Sequence, residues 1–281
     1  MTACWIFDYL RKSNKPSEVI KSAKKTLHQL QTDCEKAFVK KIEQLCGSRA
    51  KWQVWTDFIT AAAISIANSV DISGEVHDKR EKEYKECIKW LDGEVNAAEL
   101  FSYVVQALDN DQEQDFLGGL YMNLDLGSHW HGQFFTPYDI CRMMAKITLN
   151  GGERDAKTEI LDHGYISIND PACGAGATLI AAANQLRNQY INYQTDALFV
   201  GQDIDRIAGM MCYIQLSLLG CAGYVVIANT LSNPITGPDV LIPCPKPDQE
   251  IWYTPMFASE LWTQRRLAKI LFHKRGRKAG E

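Results

Sequence analysis

The first part of the chain has the hydrophobic periodicity of amphipathic helices. From Ser17 to Cys46, apolar residues recur every three or four positions, and Gly47 is suited to end a helix. The same spacing returns in three later segments, at 55–66, 84–91 and 100–108. The pattern therefore predicts an N-terminal region that is entirely helical.

After Tyr165 the pattern changes to short runs that are rich in β-branched and aromatic residues. These runs are YISIND, ALFVGQD, YVVIAN and DVLIPC, the last of them at 239–244. Helical stretches at 177–191 and 205–220 separate the first three runs and are long enough for right-handed crossovers. This alternation predicts a parallel α/β sheet of four strands.

The composition is that of an ordinary globular protein. A hydrophobic content of 46% and a charged content of 23% exclude a chain that is wholly disordered or fibrous. The sequence contains no long uncharged apolar run and its N-terminus lacks the features of a signal peptide. We therefore expect a cytoplasmic protein with no membrane partner.

The nine cysteines are scattered along the chain. They form no C-x-x-C pair, and no His lies near them at the spacing of metal ligands. This distribution predicts reduced thiols and no metal site.

The C-terminal segment is aromatic and then basic. Trp252, Tyr253, Phe257 and Trp262 would either cover the edge of the fourth strand or form an interface with a second subunit. Residues 265–278 include seven Lys or Arg and no acid, although the net charge of the chain is −4. This run is either a site for phosphate, RNA or an acidic partner, or a solvated helix.

Small residues follow the first predicted strand, in the loop DPACGAG at 170–176. Gly174 and Gly176 would let the backbone approach a ligand closely, at the sheet edge where α/β proteins bind ligands. Asp170 offers a carboxylate that suits an ammonium group, as in an amino-acid-like ligand. A nicotinamide-binding loop would carry a third glycine where Leu179 stands, which disfavours a dehydrogenase.

The second predicted strand also ends in acids, in the sequence GQDID. An acid at this point typically accepts hydrogen bonds from the ribose hydroxyls of an adenosine, and Asp203 is the candidate. The alternative is that Asp203 only occupies a turn while Asp205 caps the following helix.

These motifs resemble those of N-6 adenine-specific DNA methyltransferases. The loop is similar to their D-P-A-C-G-S-G signature, with Ala175 in place of Ser. Upstream, GQFFTPYDICRMMAKI at 132–147 resembles the Q-F-F-T-P segment of modification (M) subunits of type I restriction-modification systems. DFLGGLYMNL at 115–124 is similar to the stretch that precedes Q-F-F-T-P in the same subunits.

The resemblance implies an α/β fold of the S-adenosylmethionine-dependent methyltransferase kind. The sheet would be Rossmann-like and mostly parallel, apparently shortened, and preceded by an all-α N-terminal domain. The expected domains are a helical domain at 1–114, a cofactor-binding domain at 115–250, and an aromatic and basic C-terminal helical segment at 251–281.

The resemblance also implies S-adenosyl-L-methionine as the cofactor. Thr136 and Pro137 would hold its methionine carboxylate, a role compatible with Thr136 capping a helix and Pro137 entering its first turn. Phe134 and Phe135 would wall the site, and Asn229 aligns with the residue that faces the adenine. The expected cofactor-binding set is Phe134, Thr136, Pro137, Asp170, Pro171, Ala172, Gly174, Gly176, Asp203 and Asn229.

The family's catalytic Asn-Pro-Pro-aromatic motif is not found. The aligned strand and its end, PDVLIPCPKP, place Cys244, Pro245, Lys246 and Pro247 at these four positions. Because Cys244 has no carbonyl oxygen in its side chain to accept a hydrogen bond from a flipped base, we expect impaired amine methylation. Another candidate, NPIT at 233–236, follows Asn229 too closely to leave room for a strand between them.

The sequence leaves two main functional hypotheses. The first is a DNA adenine (N-6) methyltransferase of a restriction-modification system, with DNA as substrate and a specificity or second modification subunit as partner. The second is a non-catalytic cofactor- or DNA-binding subunit of the same ancestry. A methyltransferase acting on RNA or protein is disfavoured by the Q-F-F-T-P segment.

Overall fold

The computed structural model describes residues 23–72, 74–124, 126, 135–150 and 156–278, with side chains from residue 33 to residue 271. The chain divides into two compact units. The first consists of Met1–Gln112 and Gly119–Phe134, and the second of Glu113–Gly118 and Phe135–Glu281. The short segment 113–118 thus belongs to the same unit as the sheet.

The first unit is helical, as the periodicity predicted. Its helices are α1 (Ala23–Cys46), α2 (Lys51–Asn68), α3 (Glu75–Trp90) and α4 (Glu94–Asn110), and α5 (Phe116–Asn123) begins in the second unit and ends in the first. Helix α1 ends at Cys46, where the sequence predicted, whereas the predicted start at Ser17 lies outside the described residues.

An aromatic cluster forms the centre of the helical unit. The Phe38 ring packs edge-on against Trp55 and Phe58, with centroid distances of 5.8 and 5.3 Å. Trp55 also contacts Tyr121 at 6.1 Å. Aromatic pairs in this geometry add to the stabilisation from apolar burial, so this cluster fixes α1 against α2.

The second unit is a four-stranded sheet with helices. Its helices are α6 (Tyr138–Asn150), α7 (Ala156–His163), α8 (Ala177–Asn188), the single turn α9 (Tyr193–Asp196), α10 (Arg206–Leu218) and, after a 3₁₀ turn at Pro255–Ala258, α11 (Glu260–Lys278). The strands are β1 (Ile166–Asp170), β2 (Ala197–Asp203), β3 (Ala222–Ile227) and β4 (Glu250–Tyr253), in the order β1-β2-β3-β4. The first three strands are parallel and β4 is antiparallel to β3, which confirms the predicted mostly parallel α/β sheet preceded by helices.

The prediction for the fourth strand was wrong. Within 239–244, residues 239–242 form a tight turn, in which Ile242 N donates to Asp239 O at 2.8 Å and Leu241 N donates to Asp239 Oδ1 at 3.0 Å. Asp239 therefore binds the donors that a strand would use, and Pro243 and Pro245 have no N–H for a ladder. The strand that pairs with β3 is Glu250–Tyr253.

Both faces of the sheet are covered by the chain itself. On β3, Val225 and Ile227 face Gly209 of α10, whereas Tyr224 and Val226 face the opposite side. A cluster covers that second side, and it includes Tyr165, Leu198, Val200, Leu241, Phe257 and Trp262. Of the four aromatic residues singled out in the sequence, Trp252, Phe257 and Trp262 are buried in the core, whereas Tyr253 is 39% exposed and stacks on Phe257.

The basic run at 265–278 is partly engaged with the rest of the unit. Arg265 lies 4.6 Å from the ring centroid of Trp262 and donates to Gly164 O at 2.7 Å. Arg266 lies 4.1 Å from the ring centroid of Phe257, and Lys269 pairs with Asp239 at 3.0 Å. These three cations hold α11 on the sheet, while the side chains beyond residue 271 lie outside the described part of the chain.

Within the described residues, no helix combines the length and hydrophobicity needed to cross a membrane. Over the same residues, no cluster of three or more His, Cys, Asp or Glu side chains is placed to bind a metal ion.

Candidate cofactor site

The predicted cofactor residues of β1, β2 and β3 meet at one edge of the sheet. Asp170 pairs in register with Gly201, and Asp203 with Ile227, so the strands end side by side. Loop 171–176 joins β1 to α8 at this edge, where open α/β sheets bind ligands.

The loop depends on its two glycines. Gly174 and Gly176 have φ values of 51° and 99°, and Gly176 N donates to Cys173 O at 2.7 Å to close the turn. A Cβ at Gly174 would lie 3.0 Å from the Phe135 ring, and one at Gly176 would lie 2.9 Å from Cys212 Sγ. A larger residue at either position would therefore combine backbone strain with a steric clash.

Asp170 is bound to both ends of the loop. Its Oδ1 accepts from Ala172 N at 3.0 Å, and its Oδ2 accepts from the Thr178 hydroxyl on the first turn of α8. The carboxylate is half-buried, and each oxygen can accept a further hydrogen bond from a ligand.

Asp203 is bound to the loop from the neighbouring strand. Its Oδ2 accepts from Gly174 N at 2.8 Å and its Oδ1 accepts from Asp205 N at 2.9 Å. Burial raises the pKa of the Asp203 carboxyl above its ordinary value, and these two N–H donors lower it in part. Asp205 caps α10 through Ala208 N at 2.9 Å, so the cap and the Asp203–loop contact exist together.

The Thr136-Pro137 pair immediately precedes α6. Pro137 O accepts from Ile140 N at 2.9 Å and from Cys141 N at 3.3 Å, which makes Pro137 the N-cap residue in place of Thr136. Burial raises the pKa of the Cys141 thiol to about 11, and the charges of Asp115 and Asp170 add to the rise. The start of α6 thus lies near both carboxylates.

Among the described residues of the Q-F-F-T-P segment, Phe135 reaches the loop, since its ring borders Gly174. Helix α6 packs on α8 through Cys141, Ala145, Ala177 and Ala181. Phe134, which the sequence placed in the site, lies outside the described residues.

Asn229 follows β3 at the same edge. Its Oδ1 accepts from Leu231 N at 2.9 Å and from Ser232 N at 3.1 Å, which forms a turn closed by the side chain. The neighbouring Thr230 hydroxyl donates to Pro171 O, and this bond ties the turn to the cofactor loop.

The degenerate catalytic segment lies in the long connection between β3 and β4. Cys244 and Lys246 are exposed, and Lys246 Nζ donates to Asn233 Oδ1 at 3.0 Å. Asn233 Nδ2 in turn donates to Asp248 Oδ2 at 2.7 Å. The only Asn-Pro pair of the sequence, at 233–234, therefore has its amide bound at both ends within this connection.

Several residues outside the predicted set bind the loop. Thr178 and Thr230 do so as described above, and Gln215 of α10 donates from Nε2 to Ala175 O at 2.9 Å. The signal in the sequence that could have identified this contact is a Gln within the otherwise apolar stretch 207–216, and the structure shows this Gln to be fully buried.

A family model described as N-6 DNA Methylase matches residues 120–276. No match to a curated protein was found. A solved structure with some similarity is the type I restriction-modification system methyltransferase subunit from Streptococcus thermophilus, at 15% identity and a TM-score of 0.36. The alignment covers 76% of this chain and 61% of that one, so the chain spans less than two thirds of that subunit. Because the family model covers more than half of the 281 residues, including the glycine loop and the strand ends around it, the chain belongs to the N-6 DNA methylase family that its motifs predicted.

Proposed function

We propose that the second unit binds S-adenosyl-L-methionine at the carboxyl edge of β1, β2 and β3. The observation that carries the proposal is the 2.8 Å bond from Gly174 N to Asp203 Oδ2. This bond brings the glycine loop and Asp203, the acid expected to bind the ribose, together in one site. A Cβ at Gly174 or Gly176 would meet the side chains of Phe135 or Cys212, so the two glycines let the loop pack closely against its own protein neighbours.

The residues of this edge would divide the cofactor between them. Asp170 would bind the ammonium group, and Thr136 with Pro137 the carboxylate of the methionine part. Asp203 would bind the ribose hydroxyls and Asn229 the adenine. By the resemblance alone, Phe134, which lies outside the described residues, would form a wall of the site. Pro171, Ala172, Gly174 and Gly176 would form the backbone cradle. When bound, the cofactor supplies an electrophilic methyl group on a sulfonium.

We further propose that the chain acts as a DNA adenine (N-6) methyltransferase subunit of a restriction-modification type system. Membership of the N-6 DNA methylase family supports DNA as the partner. Transfer to an amine requires an acceptor for the amine hydrogen, and the Cys244 side chain has only a weakly accepting sulfur in place of an amide carbonyl oxygen. Methyl transfer would then depend on a specificity subunit or a second modification subunit that completes the site.

The second candidate function is a cofactor- or DNA-binding subunit without chemistry of its own. The observation that favours it is the engagement of Asn233, whose amide is held by Lys246 and Asp248. A base could reach this amide only after those bonds break.

Methyl transfer from labelled S-adenosylmethionine to DNA distinguishes the two candidates. The chain is assayed alone and after co-expression with the proteins of neighbouring genes, with Gly176→Ala as the control for transfer that depends on this site. The proposal predicts no incorporation by the chain alone and incorporation by the complex, abolished by the control variant. No incorporation in any complex that retains the chain would support the subunit without chemistry.

A further inference from the structure

Gln215 is a fully buried amide behind the cofactor loop, and all its polar atoms are bound. Nε2 donates to Ala175 O at 2.9 Å and to Asp115 Oδ1 at 2.7 Å. Oε1 accepts from Leu117 N at 3.1 Å. Rotating the amide by 180° would place Oε1 against two acceptors, Ala175 O and Asp115 Oδ1, and Nε2 against one donor, Leu117 N, so the orientation of Gln215 is fixed.

Asp115 is the carboxyl partner of this amide. Its Oδ1 also accepts from Gly118 N at 2.9 Å, and in the described ranges of the chain no Lys or Arg forms an ion pair with it. A Cβ at Gly118 would lie 2.0 Å from Asp115 Oδ2, so the turn leaves room only for glycine. Burying an unpaired carboxylate is costly, and here its hydrogen bonds serve to hold Gln215.

The carbonyl that Gln215 binds lies at the most constrained point of the loop. Ala175 stands between two glycines with left-handed backbones, and the Gly174 amide is held from the other side by Asp203. The loop is thus fixed by β2 through the Cys173–Gly174 peptide group and by α10 through the Ala175–Gly176 peptide group.

We infer that Asp115 and Gln215 are positioning residues, which fix the Ala175 carbonyl and thereby preset the loop for its cofactor. The positioning itself does not depend on the proposed function. Its effect on cofactor binding does rest on the proposed function, since the loop is expected to bind S-adenosylmethionine. It extends the site to segment 113–118, which lies in the second unit together with the loop.

Hydrogen exchange of the free protein tests the positioning directly. The exchange of the peptide that spans 171–177 is compared in wild type, Gln215→Met and Gln185→Met. The last is the matched control, because Gln185 is also buried on a helix of this unit but binds Asn150, at 3.0 Å. We expect about tenfold faster exchange at 171–177 in Gln215→Met only, because the variant loses the one side-chain hydrogen bond that Gln215 makes to the loop, at Ala175 O.

Two Asp115 variants keep the test decisive if Gln215→Met does not fold. Both hydrogen bonds to Asp115 use Oδ1, which Asn retains, so Asp115→Asn is expected to leave the exchange unchanged. Asp115→Ala is expected to accelerate it. Equal exchange at 171–177 in Asp115→Ala and Asp115→Asn, or in Gln215→Met and Gln185→Met, would overturn the inference.

Calorimetric titration with S-adenosylmethionine then separates this inference from the proposed function. If wild type binds, Gln215→Met should bind about tenfold more weakly at a temperature where it is fully folded, and Gln185→Met should bind like wild type. If wild type does not bind, the proposed function fails, while the exchange experiment still decides whether Asp115 and Gln215 position the loop.

Discussion

Three carboxyl groups around the glycine loop, those of Asp115, Asp170 and Asp203, accept hydrogen bonds from backbone N–H groups. Asp170 and Asp203 each accept hydrogen bonds from the glycine loop, and Asp115 acts on it through Gln215. Hydrogen bonds to ionised acceptors are stronger than neutral ones, which suits a loop that belongs to neither helix nor strand. The loop is therefore ordered by side chains from three separate segments.

The buried Asp115 carboxyl gives a prediction for the pH dependence of stability. Burial raises its pKa in the folded protein above the unfolded value, so the fold disfavours ionisation and loses stability as pH rises through this interval. Asp115→Asn keeps the accepting oxygen and removes the charge. We expect it to raise the melting temperature at pH 7, and the gain to vanish below about pH 4, near the unfolded pKa.

Thermal denaturation of wild type and Asp115→Asn between pH 3 and pH 8 measures the difference in melting temperature. A variant that is less stable than wild type at pH 7 would show that the carboxylate is favourable in its ionised form.

Gly176→Ala should weaken both the fold and cofactor binding. The alanine would have to adopt a φ of 99°, and its Cβ would lie 2.9 Å from Cys212 Sγ. We therefore expect a loss of about 1–3 kcal/mol in the free energy of unfolding. Gly47→Ala is the control, because Gly47 has a φ of 50° but no atom within 4 Å of an added Cβ. Denaturant unfolding and cofactor titration measure both effects; equal losses in the two variants would contradict the steric part of the argument.

At the scale of elements, the sequence predicted the first three strands and the helices between them, because the hydrophobic period changes clearly after Tyr165. It failed for the fourth strand. Segment 239–244 has the composition of a strand, yet Asp239 and the prolines make it a turn. Glu250–Tyr253 is only four residues long and is a strand because β3 offers it an edge. Such pairing is a tertiary effect that local pattern does not record.

Trp252 tests whether β4 belongs to the core. It is fully buried and its ring lies 5.3 Å from that of Tyr213, so Trp252→Ala should cost about 3–5 kcal/mol in the free energy of unfolding. Trp90→Ala is the matched control, since Trp90 is 57% exposed and should cost much less. Denaturant unfolding of both variants measures this, and similar losses would remove β4 from the core.

Helix α11 gives a prediction about its basic residues. Arg265 stacks on Trp262 and donates to the carbonyls of Thr195 and Gly164, so Arg265→Gln should lower the free energy of unfolding by roughly 1–2 kcal/mol. The affinity for DNA should stay unchanged, because this guanidinium is directed into the protein. Denaturant unfolding and a DNA-binding titration check the two parts. Weaker DNA binding at unchanged stability would assign Arg265 to a nucleic-acid surface.

For the whole molecule, the family and the candidate site could be predicted from residues that are close in sequence. The hydrogen bonds that hold the loop of this site from behind could not. The loop at 170–176 and Asp203 could be predicted because parallel strands end at one edge. Asp115 and Gln215 are one hundred positions apart, and only the fold shows that they meet behind Ala175. Catalysis is the part that this chain's own residues support least, because Cys244 replaces an amide and Asn233 is engaged.

The central claim is that this edge of the sheet binds S-adenosylmethionine, and calorimetric titration of wild type and Asp203→Ala tests it most directly. Glu260→Gln serves as the control, since Glu260 lies at the start of α11, two residues before Trp262, whose Nε1 donates to Gln194 O at the end of the sheet where β2 begins. The account predicts saturable binding to wild type and to the control, and binding at least about tenfold weaker to Asp203→Ala, which loses the ribose acceptor and the Gly174 contact. Binding that is absent in wild type, or equally tight in Asp203→Ala, would contradict the account.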